Sequence, residues 1–139
     1  TKERDRAGLL LHLLLLEARA LKRLTRNGMA PDVLRHIGSD IYDYAAEGYR
    51  LLEREWPTIR KWPDRANEAR QAAINSFYDA MVSGRRIREI VKVSRQKYHR
   101  TELQEMADDL TYSVNEALNL MCAQGAPRVS LENDDGEAV

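Results

Sequence analysis

The sequence predicts an all-α helical bundle of four to five helices, and three observations carry that prediction. Long stretches run without proline and are rich in Leu, Ala, Glu, Arg and Lys, the strongest helix formers. Apolar residues within them recur at steps of three and four, the period of one helical face. No segment before residue 128 alternates apolar and polar residues in the manner of a strand. A chain of 139 residues suits one domain and can bury a core without disulfides or metals. Residues 1–126 are expected to form the bundle, and residues 127–139 an acidic tail or linker.

The first helix is expected from Lys2 to Arg26. Leu9, Leu10, Leu11, Leu13, Leu14, Leu15 and Leu16 cover more than one of its faces, so it should be buried on several sides, with Leu9, Leu13 and Leu16 offered to another subunit. The apolar run from Gly8 to Leu16 is interrupted by His12 and is too short for a membrane span of about 20 residues. Asn27 and Gly28 tolerate the left-handed conformation that closes a helix. Pro31 and Asp32 then open a helical turn carrying Val33, Leu34 and Ile37, which Gly38 ends before Ser39 or Asp40 caps a new helix. That helix runs to about Glu55 with Ile41, Tyr44, Ala45, Tyr49 and Leu52 on one face. Tyr42, Tyr44 and Tyr49 read as amphipathic packers, ring buried and hydroxyl wet.

Trp56 to Pro63 holds two prolines and two tryptophans, so the helix must break there. Trp56 and Trp62 are expected to cover an end of the bundle or to mark an oligomer interface. Asp64 caps a long helix reaching toward Lys97, in which Ser83 and Gly84 mark a kink or a close helix crossing. Thr101 and Gln104 have the spacing of a capping box for the last helix. Leu103, Met106, Ala107, Leu110, Val114, Ala117, Leu118 and Met121 form its core stripe, and Gly125 closes it.

Lysines and arginines total 22, as do aspartates and glutamates, so no global field drives this protein onto polyanions and any electrostatic binding must be local. Cys122 has no second cysteine to pair with and reads as a small core residue, which suits a reducing, cytoplasmic setting. His12, His36 and His99 fall on separate segments without the spacing of a helical metal site, so no metal is expected. His12 is expected in the core on a backbone carbonyl, with His36 and His99 exposed. Glu102, Glu105, Asp108 and Asp109 open a helix, where the macrodipole favours negative charge, and read as structural. With no glycine-rich phosphate loop or nucleophile elbow, neither catalytic residues nor a cofactor are expected.

The most distinctive local feature is basic. From Gly84 to Arg100 seven cationic residues face one acid, Glu89. Arg85, Arg88, Lys92 and Arg95 follow steps of three, four and three, a stripe that can track phosphates; with Arg86 they are the candidate nucleic-acid or partner-binding residues. The competing reading is a solvated face whose arginines pair with carboxylates such as those at 102, 105 and 108.

The order of these features resembles the α-helical domain of archaeal GINS subunits. The resemblance rests on Leu34, Ile37, Asp40, Ile41, Tyr42 and Tyr44 at a helix start, on Leu51 to Glu55 at its end, on Phe77, Tyr78 and the segment Arg85 to Lys92, and on Thr101, Glu102 and Glu105. It spans roughly residues 9 to 122. It implies packing into a tetramer that bridges the MCM helicase and a RecJ-like partner in replication. Arg85, Arg86, Arg88 and Lys92 would then make inter-subunit ion pairs or lie near DNA, and Arg128 to Val139 would lead toward a small β domain.

The function expected from these readings is a non-enzymatic, oligomer-forming helical subunit of a nucleic-acid-processing complex, associated with other protein subunits and with no membrane. The alternative is a small nucleic-acid-binding subunit or regulator of a phage or defence complex that uses the basic stripe at residues 85–100 directly. An enzyme built on the carboxylates near residue 105 is the third class.

Overall fold

The computed structural model describes residues 2–55, 64–93 and 99–128. Among them are four helices, α1 (Lys2–Arg26), α2 (Pro31–Arg50), α3 (Asp64–Val91) and α4 (Arg100–Ala123), with a π-helical turn at Leu51–Glu55 continuing α2, and no strand. Trp56, Trp62, Arg95 and the acidic stretch from residue 129 lie outside the described residues.

Side-chain links between the helices define the topology. Arg4 at the start of α1 donates to the Gln124 carbonyl just past α4 (2.9 Å), and Arg6 makes a bidentate pair with Glu47 near the end of α2 (2.6 and 2.9 Å). Gly38 and Gly48 of α2 face Ile87 and Phe77 of α3, the order reversed. Ser76 of α3 meets Ser113 of α4 (2.6 Å between hydroxyls), while Arg86 reaches Glu102. Each neighbouring pair is therefore antiparallel. The result is an up-down-up-down bundle in which α1 lies between α2 and α4, and α3 closes the ring opposite.

This arrangement accounts for the leucine run. Leu10, Leu11, Leu14, Leu15, Ala18 and Leu21 are buried between α2 and α4, so the chain's own helices cover most of what would otherwise need a second subunit. Leu13 and Leu16 remain half-buried, and Leu9 is 39% exposed.

Four sequence-based expectations are corrected. The left-handed residue after α1 is neither Asn27 nor Gly28 but Met29 (φ 52°), whose side chain is buried in the core and so holds a backbone conformation an exposed methionine would avoid. Gly38 does not end a helix: α2 runs unbroken from Pro31, and neither Ser39 nor Asp40 is a cap. Gly38 is instead a contact point, since a Cβ there would lie 2.6 Å from Ile87 Cγ2. Third, α3 ends at Val91, before Lys97, where β-branched residues and a serine weaken the helix. Finally, the capping box does not form. His99 occupies the N-cap position without a side-chain cap, Thr101 sits inside the first turn, and Glu102 is drawn to Arg86 and His99.

Ser83 and Gly84 mark a close crossing, not a kink. A Cβ on Gly84 would meet the Gly38 carbonyl oxygen and the Tyr42 amide nitrogen, each at 3.0 Å. Gly125 closes α4 as expected, with φ 100°. Its N–H bonds the Cys122 carbonyl and the Ala126 N–H bonds that of Met121, the two reciprocal bonds of a Schellman ending. Ala126 then buries against Gly8 of α1. At the other end of α2, the π-helical turn leaves the Leu52 carbonyl to accept from the buried Arg70 guanidinium (2.8 Å), fastening α3 to the turn.

Candidate nucleic-acid interface

Gly38 and Gly84 bring α2 and α3 close enough for two polar faces to meet. Arg35, Ser39 and Tyr42 stand at steps of four and three on α2, and Arg85, Arg88 and Lys92 at steps of three and four on α3. Arg35, Ser39, Arg88, Val91 and Lys92 line an open cleft of about 390 Å³. Beside it the Arg88 guanidinium lies 4.5 Å from the centroid of the Tyr42 ring, and that of Arg85 lies 5.5 Å away. Tyr42 thus holds two cations in place without neutralising either, since a ring face attracts charge but carries none. Its side chain also accepts a hydrogen bond that pushes the Arg85 pKa up. Arg35 has Asp32 as a carboxylate partner (2.9 Å), whereas Arg88 and Lys92 have none among the described residues.

Arg86 belongs elsewhere. It points to the other flank of α3, where Nε and Nη2 bond the two carboxylate oxygens of Glu102 (2.5 and 3.0 Å) and Nη1 bonds Glu89 (3.1 Å). Those bonds raise the Arg86 pKa and lower that of Glu102. The two readings of the basic stripe therefore divide by residue: Arg86 is a strut between α3 and α4, while Arg85, Arg88 and Lys92 face solvent. Asp108 is likewise engaged, by Lys22 of α1 (2.7 Å).

No protein-family model, curated protein or solved structure matches this chain.

His12 is buried on the backbone carbonyl of Pro127, and burial, with Arg128 nearby, lowers its pKa. His36 is exposed, and His99, half-buried instead of exposed, contacts Glu102 (3.3 Å). Cys122 is half-buried. No group of three or more potential metal ligands gathers among the described residues, and no helix among them is long and apolar enough to cross a membrane.

Two features were not anticipated. Arg35 and Ser39 join the basic face from α2; their spacing with Tyr42 was visible, but the helix break expected at Gly38 hid it. Glu17 of α1 and Asp40 of α2 share a hydrogen bond, and burial together with that bond pushes the Glu17 pKa up to about 8. Tyr44 is raised as well, by burial and by the charges of Asp40, Glu17 and Asp43.

Proposed function

We propose that this protein is a non-enzymatic binding subunit of a cytoplasmic nucleic-acid-processing assembly, and that it holds a phosphate backbone along the α2–α3 face. The observation that supports this reading is the convergence of Arg35, Arg88 and Lys92 with the Ser39 hydroxyl in one open cleft, with Arg88 prearranged on Tyr42. Guanidinium and ammonium groups suit phosphate oxygens, and a preset arginine loses less freedom when it binds one. A narrower form of the proposal, a replication scaffold of the GINS type, rests on the residue pattern alone.

Fluorescence anisotropy with a labelled duplex and a labelled single strand tests the reading. About three phosphate contacts give a log–log slope of affinity against salt near −3 for a duplex. Arg88→Glu with Lys92→Glu should weaken binding at least about tenfold at low salt, each reversal replacing a phosphate contact with repulsion. Arg86→Met should leave affinity unchanged, because that guanidinium serves α4. Absence of binding at low salt, or full affinity in the double reversal, would sink the proposal.

A second reading, assembly through α1, is favoured by one observation. Leu9, Leu13 and Leu16 stand at steps of four and three and are the leucines of the run that the bundle leaves incompletely covered.

A further inference from the structure

The groove between α3 and α4 lies on the flank of α3 away from the basic cleft and has the opposite electrostatic character. It encloses about 620 Å³. Its floor is apolar: Val82 and the Tyr78 ring on α3, 49% and 56% exposed, face Met106 and Leu110 on α4. Its rim is acidic. Asp79, Glu105 and Asp109 line it, and none of the three has a cationic partner among the described residues. Glu102, at one end, is already matched by Arg86.

We propose that this groove docks a basic amphipathic helix of a partner protein. Such a helix presents apolar side chains at i and i+4 to the floor and lysine or arginine on both flanks to the rim. Charge complementarity selects it. Three uncompensated carboxylates around an apolar trough disfavour an acidic or neutral segment and draw in a cationic one. The chain's own acidic stretch, with Glu132, Asp134, Asp135 and Glu137, carries the wrong sign to fill it. A helix seated there would bury the exposed parts of Val82 and Tyr78, two of the most exposed large apolar side chains among the described residues.

The test uses the full chain and three labelled synthetic peptides of about 18 residues, long enough for stable turns on both sides of two anchors. The first has a leucine stripe flanked by lysines, the second the same stripe flanked by glutamates, and the third the first peptide's composition scrambled to destroy the stripe. The lysine peptide should bind at least about tenfold more tightly than either of the others, since both stripe and sign are required. Glu105→Lys with Asp109→Lys, and separately Val82→Asp, should each weaken it about tenfold. These side chains are exposed or at the rim, and circular dichroism of each variant verifies folding. Arg88→Glu with Lys92→Glu should leave peptide binding intact, which separates this outcome from that of the nucleic-acid reading. Equal binding of the scrambled peptide would reduce the effect to net charge and overturn the proposal, as would full affinity in the rim variant. A chain that dimerises alone, and loses the dimer through the same rim and floor substitutions, would assign the groove to a second copy and overturn it equally.

Discussion

Gly48→Ala is expected to destabilise the bundle by about 3 kcal/mol, at the upper end of the usual range for overpacking a core. Gly48 of α2 lies against the flat ring of Phe77 on α3, and three ring carbons occupy the space a Cβ would need. The ring cannot swing aside, because Phe77 is fully buried and is the largest side chain at the centre of the bundle. Alanine is the better helix former by about 1 kcal/mol, so the clash must first exceed that gain. At this chain length the loss corresponds to a fall in melting temperature of roughly 10 °C. Phe77→Leu in the same chain should recover part of the loss, so that the double variant is more stable than the sum of the two single losses predicts. Gly28→Ala serves as the control: nothing lies within 4 Å of a Cβ there, and its effect should stay within about 0.5 kcal/mol. Strict additivity between positions 48 and 77 would show that the two helices do not meet as described.

Glu17→Gln should make the protein more stable at pH 9 and change it little at pH 4. In the fold the half-buried Glu17 keeps its proton up to about pH 8, donating it to Asp40, whereas in the unfolded chain an ordinary glutamate loses it near 4.5. Folding therefore takes up a proton in between, so the stabilising contribution is complete below about pH 4.5 and is lost as pH rises to about 8. Above that, two ionised carboxylates face each other across α1 and α2, with Asp43 and Tyr44 close by. The amide of glutamine donates the same hydrogen bond at every pH and carries no charge to repel. Solvent screening at a half-buried site limits the gain to about 1–2 kcal/mol, less than the shift alone would imply. Urea denaturation of both proteins at pH 4 and pH 9 measures it. Lowered carboxylates such as Glu47 and Glu102 add the opposite trend to both proteins, so the difference between them is the quantity to read. A pH-independent difference would contradict the shared proton.

How far the structure was legible depended on whether a residue's role is local. The limits of α1 followed from helix propensity, although Met29 and neither Asn27 nor Gly28 takes the left-handed turn after it, and the core stripe of α4 followed from its period, because both are properties of one helix. Gly38 was misread because a glycine marks either a chain reversal or a close helix contact, and only the position of Ile87 and Gly84 decides between them. Arg86 and Arg88 look alike in sequence, two residues apart. The helical turn sends one toward Glu102 and the other over Tyr42, and neither partner is identifiable before the helices are assembled. The proton shared by Glu17 and Asp40 has no sequence signature, since it joins two helices through a bond that exists only after packing.

Past the end of α4 the described chain turns back along α1: Arg4 is tied to the Gln124 carbonyl, Gly8 lies against Ala126, and His12 meets the Pro127 carbonyl. Residue 128 therefore stands beside the middle of α1, about ten residues or ~15 Å along the helix from residue 2, and a host protein that received this unit in a surface loop would have to span that gap. A linker of about eight residues crosses it, which would allow the polypeptide to be reopened at the exposed Asn27–Gly28 connection, yielding a permuted molecule with the same four helices.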